Sequence, residues 1–262
     1  MPTTQPTSAN RGFTLVELLV VIAITAVLAA LLLPALSSAK ADGKRLTCIS
    51  NLRQIGIAVR NYSTDYHGFM PFGPVAPPYI NPLDLYTSTG APTSLLSLES
   101  GAPVGLGLML QGELANQPKV VFCPGGDQPL NEEAQLSQVG IGQAQSSYYY
   151  RHAGNTNLFD LPGTSFTPEH IKLDNLGNNS FGQPIRALVL DTQFLCPAAL
   201  APFGVVPATH HQQQYANILF VDGHAVTRSN TNGVFTVNLD LAGLQASFSL
   251  IRNVMEHADS EP

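Results

Sequence analysis

The chain has 262 residues, a formal net charge of −6 and only 11% charged residues. That length accommodates a membrane anchor and one sizeable globular domain, while the acidic balance offers no broad basic platform, so no nucleic-acid partner is expected. Charge density is less than half of the roughly 25% of ordinary soluble domains, and with 22 Gly and 20 Pro it suits an exported, loop-rich domain.

Residues 1–12 form a polar leader rich in Thr, Ser and Pro that ends in Arg11-Gly12. Phe13-Thr14-Leu15-Val16-Glu17 then opens an apolar run in which Glu17 is the only charge from Phe13 to Leu33. A bilayer needs about 20 such residues at about 1.5 Å rise each, so the run is long enough to cross one as a helix. A carboxylate at the edge of such a helix is costly and needs a partner. A new amino terminus at Phe13, made by cutting after Gly12, would supply one.

In Gly12, Phe13, Thr14, Leu15, Glu17 and Pro34 the stretch resembles the signal of type IV pilins and type II secretion pseudopilins. The resemblance implies that a prepilin peptidase cuts between Gly12 and Phe13 and methylates the new terminus. It further implies that the apolar segment is kept as the core of a filament of like subunits. Glu17 would neutralise a terminal amine as subunits leave the membrane, and Pro34 falls where family helices often kink. The expected location is the inner membrane, crossed once before assembly on an inner-membrane platform, with the globular part periplasmic or extracellular. Two plainer readings compete: a secretory signal cut near Ser37-Ser38-Ala39, or a simple anchor oriented by flanking charge. Both leave Glu17 unexplained. Lys40, Lys44 and Arg45 follow the run, and the positive-inside trend taken alone would favour the opposite orientation.

Beyond Gly43 the pattern becomes amphipathic. Leu46, Ile49, Leu52, Ile55, Val59 and Tyr62 recur at three- and four-residue spacing and predict one apolar helix face to about Asp65. This gives a leader at 1–12, a spanning helix at 13–36, its amphipathic continuation at 37–66 and a globular β-rich domain at 67–262. The three cysteines, Cys48, Cys123 and Cys196, include no Cys-x-x-Cys pair, which excludes zinc-ribbon and thioredoxin motifs. An oxidising compartment permits one disulfide. Cys48 with Cys123 is the candidate pair, tying the helix to the domain, and three unpaired thiols remain the alternative.

Cys48-Ile49-Ser50-Asn51-Leu52-Arg53-Gln54, with Phe122-Cys123-Pro124 later, is similar to a group of pilin-like proteins common in planctomycetes and verrucomicrobia. In that group a Cys-x-x-Asn-Leu-Arg-Gln-type helix precedes a Cys-Pro. Arg53 and Gln54 also fit a plain solvated helix face. Further on, 73–102 reads as a long loop, Val104–Leu114 as a short helix, and Lys119–Phe122 as a strand. Residues 131–145 read as irregular, Ser147–Arg151 as a strand with alternate tyrosines inward, and 152–184 as an insertion. Ala187–Leu190 reads as a buried strand ending at Asp191.

Ala216–Val221, Asp222-Gly223 and His224–Thr227 predict a β-hairpin with a tight turn at positive φ. The same pilin-like group carries a His, nine residues, then Asp-Gly. Here ten residues separate His211 from Asp222, which predicts one inserted residue in Gln212-Gln213-Gln214-Tyr215. His211, Asp222 and His224, with His210 and Asp191 as further members that the hairpin could bring together, are the candidate ligands for a divalent metal. The turn, a strand position and capping account for the same residues without one. No cofactor is otherwise implied, and the Asp-x-Asp array of a calcium loop is absent. No Gly-x-Ser-x-Gly elbow, His-Glu-x-x-His or phosphate loop occurs, so an enzyme is not expected. The alternative to an assembling subunit is a membrane-anchored extracytoplasmic binding module that does not polymerise. The fold expected is α+β, a long N-terminal helix packed on an antiparallel sheet.

Overall fold

The computed structural model describes residues 15–75, 92–128, 130–157, 172–179, 181–191, 193–199, 207–239 and 247–261. Gly12 and Phe13 lie outside the described residues. The chain divides into two compact units, 1–43 and 44–262. Helix α1, Leu15–Asp65, contributes to both and contains Pro34.

Within the first unit, every described residue is exposed, including Leu18, Leu19, Ile22, Ile24, Leu28 and Leu31–Leu33. Thr25 and Ser38 nonetheless satisfy their hydroxyls within the helix. Thr25 Oγ1 donates to the carbonyls of Val21 and Ile22, and Ser38 Oγ donates to that of Ala35. Internal hydrogen bonding of this kind is what an apolar solvent demands of a helix. The window of highest hydropathy averages 2.9, and length and composition alone make it the one described helix able to cross a membrane.

In the second unit, α1 buries Cys48, Leu52, Ile55, Ala58, Val59 and Tyr62. Leu46, expected on this face, is 62% exposed, and Ile49 is half-buried. The buried stripe therefore begins at Cys48. The described strands are β1 (Phe72–Val75), β2 (Thr93–Ser97), β3 (Ala144–Tyr150), β4 (Ala153–Asn157), β5 (Ala187–Leu190), β6 (Gln193–Leu195), β7 (Tyr215–Phe220), β8 (Ala225–Ser229) and β9 (Thr236–Asn238). Five of them form an antiparallel sheet ordered β2-β3-β5-β7-β8. Pairs β1-β4 and β6-β9 are parallel. The α+β arrangement expected from the sequence is the one observed.

Alternation on β3 buries Tyr148 and Tyr150 and leaves Tyr149 half-buried, while β5 is buried at every position. Gly56 lets α1 ride close to β7, because a Cβ there would meet Leu219 Cδ1 at 3.1 Å. Arg60 Nη2 donates to the carbonyl of Val221 at the end of the same strand, at 3.1 Å.

Several local readings need correction. The loop expected over 73–102 contains β2, and Lys119–Phe122, expected as a strand, falls largely in a 3-10 turn at Pro118–Val121 that starts on a proline. The helix expected at Val104–Leu114 is a 3-10 turn at Gly105–Met109. Residues 131–145 include helix α2, Glu132–Gln138, whose first turn carries two glutamates and whose Asn131 side chain caps the Ala134 amide. The insertion read over 152–184 contributes β4, and its residues 158–171 lie outside the described set.

Helix α3, Ser247–Asp259, was not anticipated. It buries Ile251, Val254, Met255 and Ala258, and its last residue ties it to the sheet. Asp259 Oδ1 accepts from Arg151 Nη1 and from the backbone amides of Arg186 and Ala187, all at 2.8–2.9 Å. Asp259 Oδ2 accepts from Arg151 Nη2 and Asn179 Nδ2, both at 3.1 Å. Both side chains of the Arg151–Asp259 pair are fully buried. Removing one partner of such a pair leaves an uncompensated charge. Asp259→Ala is expected to cost about 3–5 kcal/mol, read from the denaturant midpoint, whereas Asn253→Ala on the exposed face of α3 stays within about 0.5 kcal/mol.

Candidate functional site

Two places in the chain carry residues that sequence alone singles out. The first is the start of α1. Glu17 sits in its first turn, exposed, as the only acidic residue there. Around it Leu15, Val16, Leu18 and Leu19 are 54–78% exposed. A contiguous apolar surface of this kind on a helix marks an interaction with lipid or protein.

The second place lies where α1 meets the loop after the 3-10 turn. Cys48 and Cys123 are joined by a disulfide with Cα atoms 5.3 Å apart, and Cys196 is buried outside that bridge. Cys123-Pro124-Gly125-Gly126 runs beside residues 209–211. The Asp127 amide donates to the carbonyl of Thr209, the His211 amide donates to that of Gly125, and Gly126 bridges to His210. This pairing delivers the His211 ring to the disulfide. Its Nε2 lies 3.4 Å from Cys123 Sγ and 3.2 Å from Asp191 Oδ2.

Asp191 follows the last residue of β5 and is fully buried. Its Oδ1 accepts from the Asn217 amide at 2.5 Å and its Oδ2 from Asn217 Nδ2 at 2.7 Å. Asn217 is itself held by Thr227 Oγ1, which donates to its Oδ1 at 2.6 Å. Strands β5, β7 and β8 thus orient the carboxylate through a relay of side chains. His211 is placed by an unusual backbone: His211, Gln212 and Gln213 all have positive φ, at 52°, 55° and 61°. Left-handed conformation costs a non-glycine residue roughly 1–2 kcal/mol, and three in succession need support. Asp127 supplies some, with Oδ1 accepting from the Gln212 amide and Oδ2 from Thr209 Oγ1.

Asp222 and His224 occupy the hairpin turn instead. Asp222 Oδ1 accepts from both the backbone amide and the ring of His224, and the ring stacks on Phe220 at 4.3 Å. Slight burial works against ionisation of Asp222, but the His224 hydrogen bonds and charge outweigh it and lower its pKa. Positive φ occurs at Gly223 but not at Asp222, so the turn is wider than the two-residue type expected. Among the described residues, the one group of His, Cys, Asp and Glu close enough to share an ion is Cys48, Cys123, Asp191 and His211. Of the residues that the sequence groups with His211, Asp191 lies beside it while Asp222 and His224 do not, and the signal missed is the return of Cys123 from a distant loop. Neighbouring His210 is buried, with its pKa lowered chiefly by that burial, and its Nδ1 has no hydrogen-bond partner among the described residues.

Residues 7–33 match the family model described as the prokaryotic N-terminal methylation motif. The amino terminus carries a prepilin-type signal. It supports a type IV pilin- or pseudopilin-type precursor and points to a structural protein. The match covers the leader and the start of α1, and the C-terminal His and Asp-Gly pattern is no part of it. No curated protein and no solved structure gives a significant match to the chain.

Gly125 makes the second site possible. Its φ is ordinary, but a Cβ there would fall on the His211 ring. Gly125→Ala is therefore expected to destabilise the domain by about 1–3 kcal/mol, the usual cost of overpacking. The loss should largely disappear in the Gly125→Ala, His211→Ala pair, which a double-mutant cycle by chemical denaturation would measure.

Proposed function

We propose that this chain is the precursor of a pilin-like structural subunit. A prepilin peptidase cuts it between Gly12 and Phe13, and an inner-membrane platform builds it with like subunits into a type II secretion or type IV pilus-like filament. The observation that carries this reading is the methylation motif over residues 7–33. It runs into a helix whose apolar residues are exposed from Leu15 to Leu36. On this reading residues 1–12 are the leader, 13–36 the filament core, 37–66 the amphipathic continuation and 67–262 the globular decoration.

Two physical arguments support it. An exposed apolar helix must be covered by lipid before assembly and by neighbouring helices afterwards, and one carboxylate in that surface needs an opposite charge out of water. The terminal ammonium at Phe13, its own or a neighbour's, is such a charge. Registration of subunits then follows from pairing it with Glu17, while packing of Leu18–Leu33 supplies the attraction. The Cys48–Cys123 disulfide favours an oxidising compartment for the globular part, which agrees with a periplasmic or extracellular domain.

A membrane-anchored binding module that never polymerises is the competing reading, and Glu17 separates the two. For a subunit, Glu17→Ala should abolish subunit-to-subunit cross-linking through cysteines introduced along the apolar helix, while membrane insertion is kept. A simple anchor would insert as well or better without the charge. Cross-linked ladders of undiminished yield from Glu17→Ala would count against assembly.

A further inference from the structure

We propose that Cys48, Cys123, Asp191 and His211 form a redox-gated site for a thiophilic divalent ion of the zinc class. The disulfide and the metal are alternative states of the same two sulfurs. This inference is independent of filament assembly, because it concerns the globular unit alone.

The four residues offer two sulfurs, one imidazole nitrogen and one carboxylate oxygen, all within 4.8 Å of one another. Two thiolates, a histidine and a carboxylate are ligand types that zinc takes in tetrahedral sites. The site is dry: the side chain of Asp191 is fully buried and that of His211 is 4% exposed. A cleft of about 380 Å³, lined in part by Cys123, Pro124, Tyr149 and His210, lies beside the bridge.

A disulfide by itself asks for none of this. Its sulfurs carry no proton and accept hydrogen bonds weakly, yet a carboxylate oxygen and an imidazole nitrogen, both also met by Asn217 Nδ2 at 2.7 and 2.9 Å, stand 3.9 Å and 3.4 Å from Cys123 Sγ. The chain spends three left-handed residues in succession and a side-chain-free Gly125 to hold His211 there. Backbone strain of this sort gathers where a side chain must be presented for a purpose. Asp191 has the outer support of a ligand as well, since Asn217 holds both its oxygens and Thr227 holds Asn217. Groups behind metal ligands orient them in this way.

The exchange balances with a dithiol as reductant. The dithiol gives two electrons and two protons to the Cys48–Cys123 bond and leaves as its own disulfide, so that two thiols remain. A divalent ion then binds both sulfurs and releases two protons, with His211 and Asp191 completing the set. Opening the bridge lets the sulfurs part around the ion, from Cα atoms that already stand 5.3 Å apart. A disulfide-bearing oxidant runs the sequence backwards and ejects the ion.

The test uses the full chain in detergent, either oxidised or reduced anaerobically with a phosphine that is then removed. Co²⁺ serves as the optical probe and Zn²⁺ as competitor, with Cys196→Ser in the background to remove the third thiol. The reduced protein should take up one Co²⁺ per chain with a thiolate charge-transfer band and the intense visible bands of tetrahedral geometry. Zn²⁺ should displace it, and the oxidised protein should bind none. Asn217→Ala should weaken Zn²⁺ about 10- to 100-fold, as loss of an outer-shell partner does, and His211→Ala or Asp191→Asn should weaken it at least as much. Circular dichroism of each reduced variant separates lost ligands from lost folding. The proposal fails if the reduced Cys196→Ser protein binds no Co²⁺. It fails equally if binding survives both His211→Ala and Asp191→Asn, or is lost only with Asp222→Asn.

Discussion

The bond between Cys48 and Cys123 is the constraint on which the globular unit depends. It closes a sequence separation of 75 residues, which on chain-entropy grounds stabilises the folded state by about 4 kcal/mol. Its position matters more than that figure. It anchors the first buried turn of α1 to the Cys-Pro-Gly-Gly loop, and that loop pairs with residues 209–211. Through His211 and Asp191 the bridge then reaches the ends of β5 and β7 in the central sheet. A covalent link, a left-handed turn and a buried carboxylate thus meet at one point.

A second tie closes the fold from its other end. Asp259, the last residue of α3, gathers Arg151 from the end of β3, Asn179, and two backbone amides at the start of β5. A fully buried ion pair is weak evidence for stability in itself, because desolvation offsets much of the attraction. Here the carboxylate also satisfies backbone donors that would otherwise be buried unpaired, so its removal should be felt across the sheet.

Sequence pattern made legible the elements that carry a sustained period or a marked turn. The end of α1 at Asp65, the alternating tyrosines of β3, the buried run of β5 and the Asp-Gly hairpin all have the period or turn chemistry that their structure demands. Leu46 misled because periodicity reports a face without reporting where the domain surface begins. The capped helix α2 was readable from Asn131 and its two glutamates, and α3 from the spacing of Ile251, Val254, Met255 and Ala258, yet polar composition and brevity hid the first and the second was missed outright. At the candidate site, linear spacing grouped His211 with the hairpin residues Asp222 and His224. Of the residues beside it, Asp191 was among the candidates, whereas Cys123 comes from a loop whose pairing no local signal encodes. At the amino terminus the reverse holds, because a leader, a glycine, a phenylalanine and one carboxylate are written contiguously in the chain.

On the proposed function the chain is made as a precursor and matures by losing its leader, and Glu17 thereby gains an ammonium partner. The direct measurement is intact mass together with N-terminal analysis of the protein recovered from its native membrane. Maturation as proposed gives a chain that begins at Phe13, with or without one methyl group. A chain that still begins at Met1, or one that begins near Lys40, would contradict it.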